Sequence, residues 1–196
     1  MKNVLIINAH QDHNVEYSKG RLSATFVELA KSTLETKGYS VKTSAIDKGY
    51  DVEEEVDKHV WADLIITQSP VFWFSTPWIH KKYMDEVFNS GLFQEKLITT
   101  DGRSSKDKTK QYGTGGEMYG KKFVLSLSWN APKESFDDES QVLYSGKSVD
   151  DAFIATSTTY KFCGCEVLES FSCFDVLKNP DIENDIKRFE KFLDKL

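Results

Sequence analysis

The chain has 196 residues, 39% hydrophobic and 29% charged, with a formal net charge of −6. That length suits one domain with a sizeable core, expected over 1–196, and the acidic balance argues against nucleic acid or an anionic membrane as the main partner. No apolar run approaches the ~20 residues that a membrane-spanning helix needs.

Met1-Lys2-Asn3 runs straight into Val4-Leu5-Ile6-Ile7, too short for a signal-peptide core and with no small-residue cleavage site behind it. A cytoplasmic protein is the expectation. The run itself predicts a central strand, buried on both faces. From Gly20 the period changes: Leu22, Phe26, Leu29, Ala30, Thr33 and Leu34 share one face of a helix that stops at Gly38. Tyr39 to Ala45 alternates, as an edge strand does. Asp51 to Trp61 is acidic and ambiguous, with Val52, Val56 and Val60 at helical spacing.

Leu64-Ile65-Ile66 opens a third strand that ends at Ser69-Pro70, and Pro77 starts a helix over Trp78–Phe88. Residues 99–122 are polar and glycine-rich, an insertion of a length that is usually functional. Phe123-Val124-Leu125-Ser126-Leu127 predicts a fourth, central strand. Val149 to Phe162 predicts a helix, Glu166 to Phe174 an edge strand, and the residues after Asn179-Pro180-Asp181 a last helix. Three apolar strands and two half-exposed ones suit an α/β fold: a flavodoxin-like three-layer sandwich with a five-stranded parallel sheet of order 2-1-3-4-5.

In that topology the loops after strands one, three and four converge on one crevice. The first carries Ser18-Lys19-Gly20 ahead of a helix, either a phosphate cradle or a plain N-cap. The second carries Phe72, Trp73 and Phe74 between two prolines, either a wall for a planar ring or a plug under a neighbouring subunit. The third offers Trp129 and Asn130 opposite. These residue types suit a flavin, which brings its own hydride chemistry and needs no protein nucleophile. There is no Walker A loop and no G-x-G-x-x-G after the first strand. Nor is there a Ser/His/Asp set, a pair of carboxylates or a metal-spaced His cluster, so no metal is expected.

His10 is either a phosphate or substrate contact or a structural residue, and His13 has no assigned role. His59 and His80 fall in helical patterns, as surface or packing residues. Arg103, Lys106, Lys108, Lys110, Lys121 and Lys122 form a cationic insertion, which either meets the phosphates of a nicotinamide nucleotide or is a solvated flap. Tyr112, ahead of Gly113-Thr114-Gly115-Gly116, is placed to cap a ring, with glycines that permit close backbone approach. Cys163, Cys165 and Cys173 read as small core residues rather than redox groups.

Several segments together resemble the modulator-of-drug-activity-B family of NADPH:quinone reductases. They are Trp73-Phe74-Ser75-Thr76-Pro77-Trp78, Lys81 to Phe88, Asp101-Gly102-Arg103, Tyr112-Gly113-Thr114-Gly115-Gly116 and Leu125-Ser126-Leu127-Ser128-Trp129-Asn130-Ala131-Pro132. The resemblance, which also takes in Asn3 to Asn8, implies FAD rather than FMN, NADPH or NADH as donor, and two-electron reduction of quinones. It further implies a homodimer with the active site at the subunit interface. Carried over by position, cofactor contacts fall on Ser18, Gly20, Arg21, Leu22 and Thr25, on Pro70, Val71, Phe72, Trp73 and Phe74, on Tyr112, and on Ser128, Trp129, Asn130 and Ala131. Substrate contacts fall on Trp73, Phe74, Tyr112 and Gly115. Residues 10–17 make a loop about two residues longer than the family's, and Val71-Phe72-Trp73-Phe74 stands where Gly-Trp-Trp-Met is usual. The expected activity is therefore an NAD(P)H:quinone oxidoreductase working by alternation through flavin N5. The alternatives are an azo- or nitro-compound reductase at the same site, or a flavodoxin-like electron carrier or regulatory flavoprotein.

Overall fold

The computed structural model describes residues 3–13 and 19–196. Strand β1 (Asn3–Asn8) leads to α1 (Arg21–Thr36), β2 (Ser40–Ala45), α2 (Val52–Trp61), β3 (Leu64–Pro70) and α3 (Trp78–Phe93). After residues 94–121 come β4 (Lys122–Ser128), α4 (Val149–Ala152), α5 (Ile154–Phe162), β5 (Glu166–Val167), β6 (Phe171–Cys173) and α6 (Ile182–Leu193). The sheet is parallel throughout, in the order β2-β1-β3-β4-β5, with β6 also paired to β4. The expected order holds.

Continuous apolar runs mark the three central strands because both of their faces are covered. Val4, Ile6, Leu64, Ile66 and Val124 pack under α1 and α6. Leu5, Ile7, Ile65, Phe123 and Leu125 face the opposite layer, with Val56 of α2, Tyr83 of α3 and Tyr160 of α5. Edge strand β2 buries Ser44 instead of a neighbour from its apolar alternation, because that hydroxyl bonds the buried Glu55 at 2.8 Å.

Two expected elements are broken, so the sheet has six strands rather than five. The final strand is interrupted between β5 and β6, where the Ser170 N–H turns to the Asp150 carboxylate, 3.3 Å away. The helix over 149–162 divides at Phe153, whose φ of −106° leaves the helical region while its ring packs edge-on against Trp129. Asp51 and Asp181 cap α2 and α6 by accepting from the N–H three residues on, a local stabilisation of ~1 kcal/mol each. All three cysteines are free and buried, and burial pushes the Cys163 and Cys165 thiols up to about 12. Such thiols stay protonated and inert. Among the described residues no helix is long and apolar enough to cross a membrane.

Candidate functional site

The carboxyl ends of β1, β3 and β4 open on a crevice of about 310 Å³, at the point where the strand order reverses. Its first wall is the start of α1. Gly20, the N-cap, has φ 72° and offers no side-chain cap, and the first turn holds no acidic residue. The helix dipole, N–H groups with no side-chain cap and the Lys19 and Arg21 side chains thus face an opening that no acidic residue lines among the described residues. His10 lies against this turn, its ring filling the space beside Gly20. Burial holds the His10 imidazole below its usual pKa, against the opposing pull of Asp47 and Asp12, so the ring is neutral at pH 7. Its Nε2 is buried with no hydrogen-bond partner among the described residues.

The second wall is the turn after β3. Val71 is tied across to β4, its N–H donating to the Ser128 carbonyl at 2.9 Å. Phe72 and Ser75 then exchange backbone hydrogen bonds of 2.8 and 3.3 Å around Trp73 and Phe74, whose φ values are 49° and 67°. This is the geometry that normally calls for Asn-Gly. Two aromatic residues in the left-handed region cost about 1–2 kcal/mol each, and such strain gathers at functional sites. Phe72 faces the crevice and stacks on His13, ring centroids 3.9 Å apart and planes 11° apart.

Ser128 and Asn130 form the third wall. Behind them Gln68, wholly interior, accepts from Ser126 Oγ at 2.6 Å and directs its amide N–H toward Ser128 Oγ at 3.5 Å. Val176 and Leu177, in the turn after β6, close the opening.

Of the residues picked out in the sequence, Gly20, Arg21, Leu22, Pro70, Val71, Phe72, Ser128 and Asn130 meet in this crevice. Ser18 lies outside the described residues. Thr25 is on the outer side of α1, its hydroxyl bonded to the Arg21 carbonyl. Trp129 points the other way: it is buried among Phe136 and Phe153, with its indole N–H donating to Ser172 Oγ at 3.2 Å. Ala131 packs against the same interior cluster. Trp73 and Phe74 project outward, 83% and 56% exposed, past the rim.

Tyr112 and Gly115 sit elsewhere. The insertion is pinned at the amino ends of the strands, where Met118 N–H bonds the Cys163 carbonyl and Lys121 Nζ bonds the carbonyls of Val60 and Ala62. The length of β4, roughly 20 Å, separates that end from the crevice of the same chain. Tyr112 there leans on Phe162 and lies under the Arg103 guanidinium. Sequence reading left His10 open and missed Ser23, Val176 and Leu177. The last two follow a strand's carboxyl end, a position that topology alone could have flagged.

An open α/β sheet with a phosphate-ready helix end and a ring at its switch point defines the class, a flavodoxin-like domain. The chain belongs to the family described as flavodoxin-like fold, whose model matches residues 2–196, and within it to the quinone reductases of the modulator-of-drug-activity-B type. NADPH:quinone oxidoreductase MdaB of Haemophilus influenzae is 42% identical over 180 residues, 92% of each chain. A Klebsiella pneumoniae crystal structure described as a candidate quinone reductase superposes with a TM-score of 0.78 at 21% identity, covering 100% of this chain and 85% of that one. General stress protein 14 of Treponema denticola, solved in complex with FMN, gives 0.62 at 19% identity, covering 100% and 99%. These two structural likenesses speak for the fold.

Proposed function

We propose that this protein is a flavin-dependent NAD(P)H:quinone oxidoreductase that binds FAD and works in the cytoplasm as a homodimer. The observation that carries the reading is the convergence of an uncapped helix end and a strained aromatic turn on one crevice. The residues fit such a cofactor: His10 Nε2 and the first turn of α1, which have no side-chain partner among the described residues, suit a phosphate, and Phe72 suits the edge of a planar ring.

Arg21 and Lys19 would neutralise the phosphates, and neutral His10 would give them a hydrogen bond without adding charge. Ser128 and Asn130 would fix the polar side of the ring, with Gln68 holding the Ser128 hydroxyl in place. The chemistry supplied by a bound flavin is hydride acceptance from NADPH or NADH at N5, followed by hydride donation to a quinone in the same space. Trp73 and Phe74 then serve as the outer wall that excludes water from that exchange.

Tyr112 and Gly115 belong to this site only if a second copy of the chain presents them. Exposed Trp73, Trp78, Phe93 and Tyr112 are more apolar surface than a monomer usually leaves bare, which supports a two-fold dimer. Release of the chromophore from the purified protein, with its mass, distinguishes FAD from FMN. Steady turnover with NADPH and menadione is the expected result. Nucleotide oxidation that stays slow while a redox protein is reduced quickly would overturn the reading in favour of an electron carrier.

A further inference from the structure

His80 is an interior histidine whose presence the core does not explain. Its ring is fully buried in the first turn of α3, and its Nε2 has no partner among the described residues. A buried orphan of this kind is destabilising relative to an apolar ring of the same shape. What the imidazole does supply is at Nδ1, 3.0 Å from the hydroxyl of Thr76. Thr76 is itself buried and ends the exit limb of the turn that carries Trp73 and Phe74. The entry limb is fastened by Val71 to β4; the exit limb has the Thr76 hydroxyl.

The far side of His80 is equally fixed. Its ring lies beside Tyr83, with centroids 6.2 Å apart and planes 19° apart. The Tyr83 hydroxyl donates to Glu55 Oε2 at 2.6 Å, and Ser44 and Lys58 hold the same carboxylate. Hydrogen bonds thus link edge strand β2 through α2 to Tyr83 of α3, and ring packing joins Tyr83 to His80 at the base of the aromatic turn. Two left-handed aromatic residues persist only where their surroundings over-determine them.

We propose that His80 is a positioning residue that acts through Thr76 to hold Trp73 and Phe74 in their strained, outward geometry at the quinone-binding rim. The link to quinone rests on the oxidoreductase reading, whereas the clamp itself does not.

The test uses the whole protein labelled with fluorotryptophan, whose four tryptophans give four fluorine resonances, that of Trp73 assigned by Trp73→Phe. Thr76→Val and His80→Phe are expected to shift and broaden the Trp73 resonance while leaving that of buried Trp129 in place. His80→Asn, which puts an amide near the Nδ1 position, should restore it. In Thr76→Val the KM for menadione should rise about fivefold, the worth of one neutral hydrogen bond, with kcat changed by less than about twofold. A Trp73 resonance identical to wild type in Thr76→Val, the milder variant, overturns the clamp, as does failure of His80→Asn to rescue. A moved resonance with unchanged KM upholds the clamp and counts instead against the ring-wall reading.

Discussion

The imidazole of His10 occupies the space into which a β-carbon on Gly20 would project, so each residue fixes the form of the other. Gly20 stands at φ 72°, where an L side chain is strained even in open space. Gly20→Ala therefore carries two penalties, a left-handed backbone and a displaced histidine. It should cost about 1–3 kcal/mol of folding stability and lower flavin affinity, because His10 Nε2 leaves the helix end. Urea unfolding and a titration of FAD into the apoprotein measure the two separately. Unchanged values in both would show that the helix start does not have this geometry.

The crevice wall at α1 is cationic and has no acid in its first turn. Arg21→Glu places a carboxylate against the dipole's positive end and beside any bound phosphate. Flavin affinity should fall by roughly tenfold at low ionic strength, and the gap should narrow at 1 M salt, where exposed charges are screened within about 3 Å. A salt-independent loss would point to misfolding of the helix start instead.

Trp73 sits at φ 49° with 83% of its surface exposed, so its strain is offset by little burial. Trp73→Gly should raise the stability of the flavin-free protein by about 1 kcal/mol while reducing quinone turnover. Trp73→Ala keeps the backbone strain and should leave the apoprotein melt close to wild type. If either variant loses the 3–5 kcal/mol typical of a truncated buried tryptophan, the ring is a plug and not a wall.

The parts of this fold that were legible in sequence are those set by simple patterns. β1, β3 and β4 announce themselves because burial on both faces leaves no room for polar alternation. The break between β5 and β6 left no such trace, since it depends on a bond from Ser170 to Asp150, 20 residues away in sequence. Glu55 was also hidden, and His59 and His80 were left open between surface and packing: polar residues in a helical pattern default to solvent, and only the assembled layer shows all three inside. One misplacement could have been avoided. Ser128 and Asn130 both face the crevice, so the residue between them, Trp129, has to point the other way. Residues 99–121 follow a helix and precede a strand, which puts Tyr112 at the amino ends of the sheet and away from the crevice of its own chain, as a site shared across an interface would require.

The buried histidines predict acid sensitivity of a definite sign. Burial holds His80 down to about 3 and lowers His59 as well, while the unfolded chain titrates near 6.5. The unfolded state therefore binds more protons below pH 6.5, and stability is full above that value and falls as pH drops toward 3. His80 contributes a slope of ~1.4 kcal/mol per pH unit in that window, and His59 acts in the same direction. His80→Phe should flatten the dependence by about that amount between pH 6 and pH 4.5, measured by urea unfolding. Parallel curves for wild type and variant would mean that His80 is charged in the folded protein.

The distance between Tyr112 and the crevice makes the dimer testable through its active sites. The two groups lie at opposite ends of the sheet, so in a working dimer Trp73 and Tyr112 of one chain serve different sites. Consider Trp73→Ala and Tyr112→Ala, each expected to impair quinone turnover. When the two variant proteins are mixed and allowed to reassort, half of the dimers carry one chain of each kind. In such a dimer one site receives both substitutions and the other receives neither. Mixing should thus restore about a quarter of wild-type activity, from variants that show little alone. If Tyr112 acted on its own chain's crevice, or only stabilised the insertion, every site would keep one defect and mixing would recover nothing. Light scattering at micromolar concentration settles the remaining alternative, because a fully active monomer would remove the shared site altogether.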